Sequence, residues 1–558
     1  MSQGLAPCSL KRRRGTRVLA VLWIVVPFTG CAPERDLDEP RREPVEVGRQ
    51  PAAEVHLHEK NSSALIAWRQ KGVRERILVH LDAHPDIDWL PDETIARIAA
   101  THAAELADLE LDPYSLDEAA LDRFSSTNFV YAAARLGIVR KMVWVVPDRT
   151  LRDVSSRRRL VLDVVLGRTQ MVGEGEAVSF RDDGKRIEGT LLGLPVTICE
   201  LDDLPDLDEP VLLDIDLAYF TVPSPLSTHV VAIPWTRPRS VIERLARHGV
   251  RTDLITLSLS TMGGFVPPES RWLARDLKES LGAPSRAEPP GEALRSAAQS
   301  AEAAGDAGGA TDLYRRILLD REDDPTVWYA LGRVLARSGH EADGARARAE
   351  AERLDPLLVR ADLFEGDRDW HDGTFQAALA HYERYLERFP RDGLSPYAAR
   401  KRAGCLARLN RTEEAMEALR GVLQVVPRHA DTRADLGLLL RDCGDLEGAA
   451  EQLRAARRIL PGAASYAMAL GSTYLMEGRI EEGVAELEEA VTRRPYYAQA
   501  RTNLATALSS LGRFDEAARH LQVALALEPE DPRLRSMAES LRRRGIQVRF
   551  QMQVGISR

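Results

Sequence analysis

Hydrophobic positions change their spacing about halfway along the chain. Up to residue 282 they come as short, continuous runs: Ile77–Leu81, Met142–Val146, Val211–Ile215 and Leu254–Leu259. Apolar or β-capable runs of five or six residues predict strands buried on both faces. Between them the spacing turns helical. A helix is expected after Ser62 or Ser63, which can cap it, through Ala64–Trp68. Others are expected from Pro91 to Leu106, from Thr127 to Leu136 with Gly137 as a stop, from Pro238 to His248, and from Pro268 to Leu281. A polar, hairpin-like insertion is expected over about 167–195. Strand and helix in alternation predict an α/β domain over 52–282, with a mostly parallel sheet covered on both faces.

Past the Pro- and Gly-bearing linker at 283–291 the strand signals stop and a period appears. Pro427, Pro461, Pro495 and Pro529 stand 34 residues apart, as do Pro356 and Pro390. The 37-residue step from Pro390 to Pro427 leaves room for a longer loop around Gly393–Pro396. A 34-residue period closed by proline resembles the tetratricopeptide repeat, with Trp328, Leu331 and Gly332, then Leu436, Gly437 and Ala449, then Leu470, Gly471 and Tyr474 at matching positions. About seven copies are expected over 292–541, making an all-α solenoid followed by a tail at 542–558. The aromatic residues Trp328, Tyr382, Tyr385 and Tyr474 fall at core-type positions. The resemblance implies a protein or peptide partner on the concave face.

Candidate chemistry collects at two strand ends. The run Ile77–Leu81 stops in Asp82-Ala83-His84-Pro85-Asp86, and Val211–Leu213 leads into Asp214-Ile215-Asp216. In an open α/β sheet, ligands gather at the carboxyl ends of strands. Side chains two apart in a strand share a face, so Asp82, His84 and Asp86 are expected on one side, as are Asp214 and Asp216. Four carboxylates and one imidazole form an oxygen-rich set suited to one or two hard divalent cations, manganese before zinc or iron. Composition narrows the alternatives. With a net charge of −9 and no basic block beyond the N-terminus, nucleic acid is not an expected partner. Five scattered cysteines form neither a disulfide framework nor a zinc cluster.

The string Asp82-Ala83-His84-Pro85-Asp86, followed in order by Asp214-Ile215-Asp216, resembles the two metal-binding signatures of the arginase and deacetylase superfamily. The wider order is similar to the uncharacterised UPF0489 family: Val79–Asp86, Thr127-Asn128-Phe129, Trp144–Pro147 and Leu213–Phe220. The resemblance implies metal-dependent hydrolysis of a C–N bond, with Asp82 and Asp214 as bridging ligands and His84, Asp86 and Asp216 completing the set. Gly263–Glu269 resembles a segment whose glutamate faces a guanidinium, which makes Glu269 a catalytic candidate, although a glutamate starting a helix explains it as well. His229, in a polar loop after the second signature, is the candidate proton shuttle. One position departs from the pattern. Asn61 stands where a further histidine is expected, and His56 or His58 is the possible substitute. If neither serves, the reading becomes a non-catalytic scaffold built on a degenerate enzyme.

The N-terminus carries a separate signal. Lys11–Arg14 and Arg17 precede the short apolar core Val18–Phe28, which is too short for a permanent span. Phe28-Thr29-Gly30-Cys31 resembles a bacterial lipoprotein cleavage box, although Phe28 departs from the usual leucine. The resemblance implies removal of 1–30, lipidation and membrane anchoring at Cys31, and a solvated tether over 31–51. Ala32 after the cysteine implies, as in enterobacterial lipoproteins, an outer-membrane location facing the periplasm.

Overall fold

The computed structural model describes residues 45–47, 53–112, 114, 122–231, 233–262, 264–282 and 290–548. Cys31, the leader and most of the tether lie outside them. The apolar runs become a nine-stranded sheet: β1 Val45–Glu46, β2 Glu54–His58, β3 Arg76–Leu81, β4 Val139–Val145, β5 Arg181–Asp182, β6 Arg186–Leu191, β7 Leu194–Cys199, β8 Val211–Asp216 and β9 Arg251–Ser258. The order is β1-β9-β8-β3-β4-β7-β6-β5, with β2 parallel to β9 beyond the two residues that β1 pairs. The six strands β2, β9, β8, β3, β4 and β7 run parallel, while β6 and β5 extend the edge antiparallel. From β3 the chain moves outward to β4 and β7, then returns to β8 on the other side. The gap between β3 and β8 is therefore the topological switch point, where an open parallel sheet has its crevice.

Two sequence expectations change here. The tether does not stay in solvent throughout, because Val45 and Glu46 pair with Thr252 and Arg251 and Val47 is buried. The hairpin-like insertion at 167–195 reaches further than expected: β6 and β7 pair antiparallel, and β7 runs on to Cys199 as a parallel neighbour of β4. The short segment Leu194–Cys199 lacks a long apolar run because Pro195 and Thr197 interrupt it.

Helices cover both faces: α1 Ser63–Gln70, α2 Asp92–Ala100, α3 Phe129–Arg135, α4 Val154–Arg159, α5 Glu174–Ala177, α6 Ala218–Thr221, α7 Pro238–Arg247 and α8 Trp272–Gly282. Leu78, Leu212, Leu254, Met142 and Trp144 pack beneath α1, α3 and a π-helical turn, Leu160–Leu166. Val79, Leu213, Ile255 and Val143 pack on the other side with side chains of α7 and α8. Period-two alternation assigns each strand's residues to these two cores.

From Pro290 the chain is helical. Seven antiparallel pairs follow: α9 Pro290–Ala303 with α10 Ala307–Asp320, α11 Pro325–Arg337 with α12 Glu341–Leu354, α13 Ala361–His371 with α14 Phe375–Arg388, and α15 Ser395–Arg408 with α16 Thr412–Val425. Then come α17 Ala430–Asp442 with α18 Leu446–Ile459, α19 Ala464–Met476 with α20 Ile480–Arg493, and α21 Ala498–Ser510 with α22 Phe514–Leu527. The single helix α23 Pro532–Arg543 closes the stack, and Val548 beyond it is buried in the core of the last helices. Small residues set the pair spacing. A Cβ on Gly437 would lie 2.9 Å from Leu453 Cγ and 3.1 Å from Ala449 O, so the two helices touch along backbone that a larger residue would push apart. Tyr382, Tyr385 and Tyr474 are buried, while Trp328 is half-buried.

The first helices of neighbouring pairs touch one another, α15 with α17, α17 with α19 and α19 with α21, so they line the inner side of the curve. In pairs 2 and 3 the first helices α11 and α13 pack on the 3₁₀ turn Pro268–Ser270, and Tyr397 of α15 in pair 4 packs on Tyr114. At the other end, Tyr496 and Leu527 enter the core beneath α1 and α3, and the Met171 N–H donates to Arg493 O at 2.8 Å. The chain is thus an α/β domain followed by a solenoid that lies against it.

Candidate metal centre

The sheet register builds the centre. His80 sits beside Asp214, which sits beside Thr256 on the next strand. One step further along the same face, Asp216 lies beside Ser258 and Ser258 beside His58. Polar side chains thus occupy the carboxyl end of a face that is otherwise apolar, at the switch point.

β3 ends at Leu81, so the expected period-two spacing does not extend over Asp82, His84 and Asp86. A turn brings these residues in instead. The Asp82 carboxylate accepts the His84 N–H at 3.1 Å, and Asp86 adopts a left-handed conformation with φ +50°. Ser260, whose hydroxyl donates to Asp216, has φ +46°. Two non-glycine residues in this strained region therefore meet at one site, a distribution typical of functional sites.

His80 is the residue that the sequence reading missed, and it lies at the heart of the cluster. It is fully buried, packed edge-on to Phe129, with Nδ1 2.8 Å from Asp214 Oδ2. That contact places the proton on Nδ1 and leaves Nε2 aimed at Asp82 Oδ2 at 3.6 Å and Asp86 Oδ2 at 3.7 Å. These three atoms are spaced as neighbouring ligands of one cation are. Asp214, expected as a bridging ligand, instead has one oxygen on His80 and the other accepting from the Thr256 hydroxyl. Its position is that of the carboxylate behind a metal-bound histidine, fixing ring orientation and tautomer. Asp216 accepts from Ala218 N–H at 2.7 Å and from Ser260. His84 lies at the rim, its side chain 25 % exposed and Nδ1 3.4 Å from Asp82 Oδ1. Of the five expected ligands, the structure brings Asp82 and Asp86 together with His80, sets Asp214 and Asp216 on protein donors, and leaves His84 at the edge.

Asn61 donates to Asp86 Oδ2 from the position where a histidine was expected. Ser62 and Ser63 do not cap α1; both hydroxyls donate to Glu110. Of the two substitute histidines, His56 bonds Glu54 at 2.8 Å, while His58 is turned into the sheet row. Several buried polar atoms at this end of the sheet have no hydrogen-bond partner: His58 Nε2, Asn61 Oδ1, His80 Nε2, Asp82 Oδ2 and Ser258 Oγ. Orphaned buried polar atoms are costly and uncommon, so five at one end of the sheet mark a site built around something else.

The electrostatics agree. Burial and the neighbouring Asp86 push Asp82 up to about 6. Burial and Asp82 push Asp216 well above the carboxylate range. Burial opposes charge on His80, but Asp214, Asp86 and Asp82 outweigh it and raise its pKa well above that of a free imidazole. Burial and His56 hold His58 neutral, pushed down to about 4. The cluster is short of positive charge, which protons or a divalent cation would supply. An oxygen-and-imidazole donor set facing one point fits such a cation.

The two expected catalytic side chains are bonded to the solenoid. Exposed His229 has Nδ1 2.9 Å from Asp372 Oδ1, on the turn after α13, so it belongs to the contact with the solenoid. Glu269 is 4 % exposed in a short 3₁₀ turn, ion-paired with Arg333 of α11 and 3.7 Å from Arg368 of α13. Burial raises its pKa, but the two guanidinium groups outweigh this and hold it below the usual glutamate range. Nothing local in the sequence signals these partners, because they stand 64 and 99 residues away.

No curated protein matches the chain. Among solved structures, a thermophilic TPR protein of Thermus thermophilus is 27 % identical, covering 32 % of this chain and 96 % of that one at a TM-score of 0.28. MamA from Desulfovibrio magneticus RS-1 is 20 % identical, covering 32 % and 98 % at a TM-score of 0.28. The Cut9–Hcn1 assembly of the APC/C is 16 % identical, covering 48 % and 51 % at 0.32. The tetratricopeptide repeat family matches residues 363–432, 434–498 and 474–541. Residues 363–541 therefore carry tetratricopeptide repeats, a protein-interaction module.

Proposed function

We propose that the α/β domain is a divalent-metal-dependent hydrolase of C–N bonds, carried on a lipid-anchored envelope protein whose solenoid recruits a protein partner. The observation that carries the reading is the convergence of His80 Nε2, Asp82 Oδ2 and Asp86 Oδ2 on one buried point at the switch point of the sheet. His80, Asp82 and Asp86 would hold the cation, manganese before zinc or iron, and Asp214 would orient His80. A cation there supplies positive charge that polarises the scissile group and acidifies water. His84 reaches solvent beside Asp82 and is placed to pass a proton between the two. Asn61 keeps Asp86 turned into the site. The envelope location rests on the basic leader and the box ending at Cys31.

A second reading has its own support. Asn61 on Asp86, together with His371 of the solenoid stacked on Phe265 beside His84, favours a scaffold whose α/β domain has lost catalysis. Hydrolysis of amide and guanidino compounds by full-length protein, with and without added Mn²⁺, separates the two. Turnover that chelator removes and His80→Ala abolishes supports the enzyme. Metal binding without turnover across both compound classes favours the scaffold.

A further inference from the structure

The contact between the domains is aimed at the metal centre. The chain leaves β9 through Ser260, whose hydroxyl holds Asp216, and turns by way of Thr261 and Gly264 to Phe265, whose ring lies 4.6 Å from that of His84. Phe265 is stacked in turn on His371, the last residue of α13, at 4.4 Å and 24°. Gly264 between them has φ +83°, and a Cβ there would lie 2.5 Å from Arg368 N and 2.6 Å from the Asp367 carbonyl carbon. The turn therefore rests backbone-to-backbone on α13, an approach only glycine allows. Buried charge fastens both sides. Glu269 is held by Arg333 and Arg368; Arg271 donates to Glu59 at 2.8 Å, to Thr261 Oγ1 at 2.8 Å and to Asp355 of the solenoid at 3.1 Å.

We propose that the solenoid is a working wall of the metal centre: α13 holds Gly264 and Phe265, Phe265 packs on His84 while Ser260 before it holds Asp216, and solenoid docking is thermodynamically linked to occupancy of the centre. The proposal rests on the metal reading above. Linkage is reciprocal, so a cation that tightens the centre tightens docking, and a partner competing for α13 loosens the centre by the same factor. The inner side of pairs 2 to 4 is then taken up by the chain's own turn, and a partner must displace it or use the later pairs.

The test uses full-length protein with Mn²⁺ as the probe. Hydrogen exchange over 361–371 is compared with and without Mn²⁺, and Mn²⁺ affinity is measured for wild type, Gly264→Ala, His371→Ala and the control Gly421→Ala, a site with open space around it. Expected are slower exchange in α13 on adding Mn²⁺, and about tenfold weaker binding with faster exchange in the first two variants only. If Gly264→Ala does not fold, His371→Ala decides. Faster exchange with Mn²⁺ affinity unchanged would overturn the proposal, leaving the solenoid merely attached. If wild type binds no Mn²⁺, the metal reading fails, and carbethoxylation of His84 followed by mass spectrometry decides the wall alone. A rate rising in Gly264→Ala relative to exposed His340 supports it, and an equal rate refutes it.

Discussion

At two places in the solenoid, ionisable side chains meet partners of opposite sign. Buried Arg295 lies 2.6 Å from buried Asp324, and half-buried Arg400 lies 2.8 Å from Asp435 and 3.2 Å from Asp431. At the ends of β3 and β8 the balance differs: Asp82, Asp86, Asp214 and Asp216 are buried around the single imidazole of His80. The first arrangement is complete within the chain, whereas the second is complete only with a cation or bound protons. Pairing offsets the cost of burying charge, and a buried cluster left short of it is a candidate ligand site.

The largest expected effect separates the two regions by sign. Asp324→Asn leaves Arg295 buried without its counter-charge and should destabilise the solenoid by about 3–5 kcal/mol in denaturant titration followed by hydrogen exchange. Next, Asp214→Asn should weaken metal binding by about 10–100-fold in calorimetry while leaving the fold intact, as expected of a carboxylate behind a ligand. A loss as complete as that of Asp82→Ala would instead return Asp214 to the metal. In metal-free protein, Asp82→Asn should stabilise by about 0.5–2 kcal/mol, because it relieves the burial of a carboxylate beside Asp86. A loss of stability there would erase the contrast with Asp324.

The smallest effect concerns pH at the contact between the domains. Arg333 and Arg368 hold Glu269 below its ordinary value, so its contribution to docking is fully present above the usual glutamate pKa of about 4.5. That contribution is lost as pH falls through the lower docked value. Small-angle scattering should therefore show constant dimensions from neutral pH to about 5 and expansion only under stronger acid, with Glu269→Gln flattening the response.

The two regions also differ in how much the chain discloses. Each solenoid pair is made of residues about 34 apart whose contacts repeat, so prolines and small residues such as Gly437 and Gly471 disclose it copy by copy. The parallel sheet was legible from its apolar runs, except β7, where Pro195 and Thr197 break the run. The two acidic signatures located the centre but did not assign its roles. His80 reads as an ordinary position in a buried strand until register sets it beside Asp214. Asp86 reaches the centre by a left-handed turn that period-two reasoning does not contain. The assignments of His229 and Glu269 depended on docking of the solenoid, which no local pattern records.

Metal stoichiometry tests the central claim most directly. Full-length protein, purified without chelator and then titrated with Mn²⁺, is compared with a folded His80→Ala/Asp82→Ala double variant. One equivalent of divalent metal in the wild type and none in the variant is the predicted result. Equal metal in both, or none in either after reconstitution, would contradict the account.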